Sequence, residues 1–257
     1  MTHPAGTADI ALRYAADRPL RVRLREPRGA DELTVAGVDT RSAVDLLDRL
    51  LEASPCAAAE LAASDRDALL AGLHRLLWGD RIACSLSCPA CEALYDLSFE
   101  LSALEHHLHA QGETGQAIAL RCMADEQGGR LNLPSAPEED AAAERGLENG
   151  LAQLAAGIAG PEGVDPARLS ARLETLAPIL DVDLDAPCAE CGRAQQVRFD
   201  IQSFVLQRLL DERELLLNDV HALARGYGWS LSEIVSLKRS LRRSLVQRLT
   251  VPAAVGG

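Results

Sequence analysis

The feature that most constrains this chain is a pair of cysteine turns, Cys88-Pro89-Ala90-Cys91 and Cys188-Ala189-Glu190-Cys191, offset by one hundred residues. The likeness runs past the thiols. Leu97, Phe99 and Leu101 follow the first turn at the distances at which Val197, Phe199 and Ile201 follow the second, so each copy reads as a knuckle leading into a strand with one buried face. A zinc ion takes four soft ligands in a tetrahedron, each sulfur at roughly 2.3 Å, and one CxxC turn supplies two of them. Two turns facing each other close the shell and leave no position for water, which makes the site structural rather than catalytic. Structural Zn2+ held by Cys88, Cys91, Cys188 and Cys191 is therefore the expectation. The ion would close a loop of about 96 residues, so metal binding and folding would go together.

Other chemistries share the same residues. Four cysteines also serve an iron–sulfur cluster, and a vestigial, empty site is a further alternative. Thiol exchange fits less well, because a redox CxxC usually opens a helix that lowers its thiol pKa, whereas both turns here lead into strands. Met1 to Asp17 lack the basic flank and continuous apolar run of a signal peptide, and no later segment is apolar for long enough to span a bilayer. A cytoplasmic location is expected, where thiols stay reduced and seven cysteines do not form a disulfide framework.

The remaining candidate groups read as structural. Cys84 could substitute as a ligand, but the second turn has no counterpart at its offset, so it reads as a bystander. Cys56 and Cys122 sit among apolar neighbours, as small hydrophobes do. His106, His107 and His109 suggest a second metal, yet adjacent histidines on a helix point in different directions, and a solvated face is the better reading. His74 and His221 stand alone on amphipathic helices. Gly79-Asp80-Arg81 and Asp65-Arg66-Asp67 read as helix-end charges that pair locally. No Gly-rich phosphate loop, nucleophile elbow or HExxH is present, so no catalytic residue is assigned and the chain is read as a non-enzyme.

With 47% hydrophobic but only 3% aromatic residues, the core must be built from aliphatic side chains, mostly on helices. The expected fold is α+β, predominantly α-helical, with a small zinc-ribbon-like β element made of the two CxxC knuckles, a helical insert and a C-terminal helical hairpin. Residues 1–19 are read as a flexible N-terminus, and 20–82 as a strand at Leu20 to Leu24 followed by two helices. The first helix starts near Thr40; the second is capped by Ser64, with Asp67 three residues on, and closed by Gly79. Residues 83–101 and 187–202 form the split ribbon. Between them, 102–186 carry an alternating run from Ala117 to Cys122, a loop from Asp125 to Asp140, and helices near Ala141–Ile158 and Asp165–Leu176 separated by Pro161 and Gly163.

Residues 203–250 read as a long helix broken at Gly226-Tyr227-Gly228 and a final helix from Ser232 to about Leu249, in a helix–turn–helix outline; 251–257 form a tail. Trp229 is expected to plug the corner between these helices. The last helix holds Lys238, Arg239, Arg242, Arg243 and Arg248 against Glu233, a locally basic face in a chain of net charge −12. Ile234, Leu237, Leu241, Leu245 and Leu249 make an apolar stripe for the preceding helix, leaving the arginines solvated. That face would suit an acidic protein partner better than DNA, and the overall acidity weighs against nucleic acid and membrane binding.

In chain order, five features carry a further resemblance. They are Gly29-Ala30-Asp31-Glu32-Leu33, Asp65-Arg66-Asp67-Ala68-Leu69-Leu70 leading to Trp78-Gly79-Asp80-Arg81-Ile82, the two CxxC units, Asp219-Val220-His221-Ala222-Leu223-Ala224, and Tyr227-Gly228-Trp229-Ser230. Together they resemble the baseplate-hub and hub-assembly proteins encoded with contractile phage tails and phage-derived contractile injection systems. The resemblance implies a chaperone or minor component that binds baseplate or spike/hub proteins without catalysis. It carries over no partner-binding residue and leaves the oligomeric state open. The alternative from a different class is a zinc-ribbon or helix–turn–helix regulator that binds nucleic acid through the basic final helix.

Overall fold

The computed structural model describes residues 6–17, 19–111, 116–124, 130–159 and 165–250. The chain begins with an antiparallel sheet of β1 (Thr7–Leu12), β2 (Leu20–Arg25) and β3 (Leu51–Glu52), in that order. The strand β1 corrects the reading of residues 1–19 as flexible over Thr7–Leu12. Ile10 faces Val22 and Leu12 faces Leu20 across the ladder, and the burial of Ile10 and Leu12 ties this segment into the main core. Two apolar residues at alternate positions were too short a signal to register. Helices α1 (Gly29–Thr34), α2 (Thr40–Leu50) and α3 (Ala63–Trp78) complete this part. As expected, α2 starts at Thr40; Asp39 caps it, accepting from the Ser42 amide at 2.8 Å, and Val44, Leu46, Leu47 and Leu50 face inward.

The start of α3 differs from expectation. Ala62 occupies the cap position, and Ser64 lies inside the helix, donating to the Ala177 carbonyl at 2.9 Å. Asp67 accepts from the Leu180 amide at 2.8 Å. Both polar side chains thus serve a segment more than a hundred residues away rather than their own helix end. Gly72 lets α3 lie against β1, since a Cβ there would fall 2.3 Å from Ile10 Cδ1.

The pseudo-repeat is a repeat of structure. Its first copy runs β4 (Arg81–Ser87), the Cys88 turn, β5 (Leu94–Glu100) and α4 (Leu101–Gln111). Then come β6 (Gln116–Ala119), β7 (Cys122–Ala124), β8 (Arg130–Asn132), α5 (Ala136–Ala143), α6 (Leu147–Ala159) and α7 (Pro166–Leu176). The second copy runs β9 (Asp181–Asp185), the Cys188 turn, β10 (Gln196–Asp200) and α8 (Ile201–Asp211). Registers match: Ile82 pairs Phe99 as Val182 pairs Phe199, and Cys84 pairs Leu97 as Leu184 pairs Val197. The likeness also reaches back into the preceding helices, where Leu69 and Leu169 are both buried.

Each copy is a strand–turn–strand–helix unit rather than a knuckle plus one strand. Leu101 and Ile201 are corrected from strand positions to the first residues of helices. Asp80 accepts from the Ser102 amide and Asp200 from those of Gln202 and Ser203, so a carboxylate caps each of these helices. The two hairpins remain separate two-stranded sheets.

The insert also departs from its reading. The run from Ala117 to Cys122 spans β6 and β7 of a three-stranded sheet, and the helix expected from Ala141 is two helices that break at Gly146, φ +78°. Pro161 and Gly163 lie outside the described residues. The fold is mixed α/β, with a main aliphatic core and a smaller one under the insert around Met123, Leu131, Ile158 and Leu176.

The C-terminal part holds the largest correction. The expected long helix is α8 followed by α9 (Arg213–Tyr227), the latter ending on left-handed Gly228. The final helix is a short α10 (Leu231–Val235), with Ser230 and Glu233 forming its capping box, and then α11 (Arg239–Thr250). Trp229, at the corner between α9 and α10, is half-buried and stacks on Tyr227 at 4.9 Å. Leu241 is 48% exposed, whereas Arg239 and Arg242 are 3% and 1% exposed. The expected polarity holds at Ile234, which is buried, and at Lys238 and Arg248, which are exposed, but fails at Arg239, Arg242 and Leu241, because carboxylates from elsewhere meet the two guanidinium groups. Arg239 and Arg242 donate to Glu32 of α1 at 2.8 and 2.9 Å, and Arg242 to Asp219 of α9 at 3.2 Å. Glu212 adds ion pairs to Arg239 and Arg243.

Candidate metal centre

The turns between β4 and β5 and between β9 and β10 bring Cys88, Cys91, Cys188 and Cys191 together. Their sulfurs all lie within 4.8 Å of one another, with Cys88 Sγ 3.7 Å from Cys191 Sγ and Cys91 Sγ 3.8 Å from Cys188 Sγ. A tetrahedron of thiolates around one ion has edges of roughly 3.8 Å, while a disulfide would need about 2 Å. The four thiols are free, and their spacing is that of a group able to hold a metal ion. Among the described residues no other group of three or more His, Cys, Asp or Glu side chains meets this condition.

Backbone hydrogen bonds build each turn in the same way. The Cys88 amide donates to Ala93 O at 2.9 Å and the Glu92 amide to Cys88 O at 2.8 Å; Cys188 donates to Arg193 O at 3.0 Å and Gly192 to Cys188 O at 2.9 Å. The residue after the second cysteine is left-handed in both, φ +59° at Glu92 and +69° at Gly192. Glycine adopts this conformation freely and glutamate does not.

Protein dipoles already favour thiolate at one ligand. The Ala90 and Cys91 amides, with the neighbouring thiols, pull Cys88 down to about 7. At Cys91 the Ala93 amide acts in the same sense, but the crowding of sulfurs from Cys191, Cys88 and Cys188 prevails and pushes it up to about 12. Sulfurs that close together cannot all ionise without a cation between them.

The surroundings fix the two hairpins to each other. Cys88 and Cys188 are buried and Cys91 and Cys191 exposed, so the group faces solvent on one side. The buried Tyr95 hydroxyl donates to Ala186 O at 3.0 Å, a bond from the first hairpin to the second. Phe99 and Phe199, equivalent in the repeat, meet edge to face at 5.1 Å.

The other residues singled out lie elsewhere. Cys84 sits half-buried on β4, its thiol directed at Leu97 O, and is not one of the four. Cys56 and Cys122 are half-buried, and burial raises the Cys56 thiol pKa. His106 and His107 are exposed on α4, and His221 is exposed on α9. His74 is fully buried between Trp78 and Phe204; burial, then the charge of Arg208, pushes its pKa down to about 4.

Asp65-Arg66-Asp67 is corrected from local helix-end charge to long-range fastening. Asp65 accepts from the Arg13 and Tyr14 amides at 2.7 and 2.9 Å, and Arg66 donates to Leu61 O at 2.7 Å and pairs with Glu139. Burial raises Asp65 to about 6 and Asp67 to about 7. Sequence reasoning missed the buried Arg239–Glu32–Arg242 cluster. Its carboxylate comes from a part of the chain more than two hundred residues distant, and no spacing rule links the two.

Comparison with protein-family models, with curated proteins and with solved structures finds no match, so the site stands on its geometry. Among the described residues no helix is long and apolar enough to cross a membrane.

Proposed function

We propose that Cys88, Cys91, Cys188 and Cys191 hold a structural zinc ion. We further propose that the chain acts without catalysis as an assembly or structural component of a contractile phage-tail-like injection system, binding baseplate or spike/hub proteins. The observation that carries the first part is the convergence of four sulfurs from two distant hairpins onto the edge lengths of a single four-thiolate ion. An iron–sulfur cluster spreads its thiolates over several irons and needs them further apart. All four positions would be filled by protein, so the ion would have no place for a substrate and its role would be to hold two hairpins in one orientation.

The assembly role rests on the ordered sequence features that resemble hub-assembly proteins, and a rigid non-catalytic scaffold suits it. The nucleic-acid reading has less support, because Arg239 and Arg242 are turned inward to carboxylates. Metal analysis of the purified chain should give one zinc per molecule, and affinity-tagged protein should retain baseplate or spike subunits of the same cell. Iron in place of zinc would overturn the first part, and recovery without any tail subunit would overturn the second.

A further inference from the structure

Two sulfur contacts in the metal centre share a pattern that holding an ion does not require. Cys88 meets Cys191 at 3.7 Å and Cys91 meets Cys188 at 3.8 Å, so each contact joins one hairpin to the other. Each also joins a buried sulfur to an exposed one, since Cys88 and Cys188 are 1% and 2% exposed whereas Cys91 and Cys191 lie open. Exchanging the two copies of the repeat turns one contact into the other, so the chemistry open to the first pair is open to the second.

Access is one-sided. Ala90 and Glu92 beside Cys91, and Glu190 and Gly192 beside Cys191, are exposed as well, so a small oxidant reaches these two sulfurs from solvent. Each then faces the buried sulfur of the opposite tip, and a disulfide needs that pair to close to about 2 Å. The hairpins are separate two-stranded sheets, so their tips can approach as bodies without either turn changing shape. Within a turn the same closure is resisted: the Cys88–Ala93 and Glu92–Cys88 backbone bonds pin the first, and the Cys188–Arg193 and Gly192–Cys188 bonds pin the second. The Tyr95–Ala186 bond and the Phe99–Phe199 contact keep the hairpins facing each other without help from the sulfurs.

We infer that the centre is a peroxide-sensitive tie that exchanges its metal for two disulfides between the hairpins, Cys88–Cys191 and Cys91–Cys188. The inference rests on the structural zinc reading and adds how the four ligands respond to oxidation. The exposed Cys91 thiolate attacks one oxygen of hydrogen peroxide; the O–O bond breaks, hydroxide leaves and Cys91 carries a sulfenic S–OH. The Cys188 thiolate then attacks that sulfur; the S–O bond breaks, a second hydroxide leaves and the S–S bond forms. The sulfur pair gives up two electrons, one peroxide is reduced, and two protons from solvent turn the hydroxides into water. Cys191 and Cys88 repeat the sequence with a second peroxide. Four thiolates thereby become two disulfides, which hold the ion no longer, yet the loop of about 96 residues stays closed. Oxidation thus removes the metal without parting the hairpins.

The test treats the zinc-loaded full chain with hydrogen peroxide, follows free zinc with an indicator dye, and maps the thiols by mass spectrometry. The expected result is release of the bound zinc in step with the loss of four thiols per chain. A non-reducing tryptic digest should then hold residues 82–121 linked to residues 173–193, with fragmentation placing the bonds at Cys88–Cys191 and Cys91–Cys188. Cys84→Ala, which removes the remaining thiol of the first peptide, should give the same links. The oxidised chain should melt higher than the reduced chain stripped by a chelator, and a dithiol supplied with zinc should restore the starting state. Disulfides within the turns, sulfinic acid at Cys91 and Cys191 with the buried thiols still free, or zinc retained through a large excess of peroxide would each overturn the inference and leave the zinc reading standing. A purified chain that carries no zinc before oxidation would remove both.

Discussion

The cysteine centre and the arginine cluster both bring distant segments together, by opposite chemistry. At the first, four soft sulfurs from two hairpin tips converge, and a bound cation would gather all their charge at one point. At the second, Arg239 and Arg242 reach from the last helix to Glu32, Asp219 and Glu212 inside the protein. Burial draws Arg239 down to about 10 even though Glu32 favours its charged form. Desolvating those charges offsets much of their attraction, so the cluster fixes how the C-terminal helices dock more than it adds stability. A metal tie adds stability as long as its ion is present, whereas an ion-pair tie chiefly makes the loss of either partner costly.

That contrast predicts unequal failures. The largest effect is expected at a buried sulfur: Cys188→Ser should lose the metal and about 5 kcal/mol, a fall of roughly 10–20 °C in melting temperature, and a strong chelator acting on the parent should match it. A chelator that leaves the melting curve in place would break the comparison. Next comes Arg242→Ala, which leaves Arg239 as the one buried guanidinium on Glu32 and takes away the partner of Asp219, and should cost about 3 kcal/mol in denaturant unfolding, with metal content unchanged. Loss of bound metal in Arg242→Ala would mean that the two fastenings are coupled.

Smaller effects sharpen the picture of how the two repeat copies are held. Asp67, on the helix before the first copy, binds the Leu180 amide at the start of the second, and its carboxyl is raised to about 7. A carboxyl raised on folding is protonated more readily in the native state, so its contribution falls as pH rises from about 4 to about 7 and stays low above that. Asp67→Asn keeps an acceptor without the charge and should stabilise the protein by on the order of 2 kcal/mol at pH 8 and by little at pH 4. A pH-independent effect would contradict the raised carboxyl. The smallest change is Glu92→Gly, which gives the first turn the residue that the second already has at its left-handed position and should add about 1 kcal/mol in thermal unfolding.

The site was legible in the sequence because metal ligation has a short-range grammar. Two thiols three residues apart, repeated with the same apolar spacing after them, mark the four cysteines and the strand that follows each turn, though not the strand that precedes it. The helix α2 and the C-terminal end of α9 were legible for a similar reason, their apolar periodicity and the residues at their ends, whereas the break between α8 and α9 was not. The strand β1 and the split of the insert helix were not, since each depended on a signal of two or three residues. The C-terminal helix misled because hydropathy assigns arginine to water. It cannot register that Glu32, more than two hundred residues upstream, waits inside the fold.

The sequence by itself determined the four cysteines, the repeat that bears them and the aliphatic character of the core, all of which follow from residue type and local spacing. Only the tertiary structure decided that Leu101 and Ile201 open helices, that Asp67 reaches Leu180, that Arg239 and Arg242 of the last helix lie inside, and that each exposed cysteine meets the buried one of the other hairpin. The physical reason is range. A turn, a cap or a ligand pair is set by neighbours along the chain, whereas a buried ion pair or a thiol pair across hairpins exists only once distant segments of the chain have met.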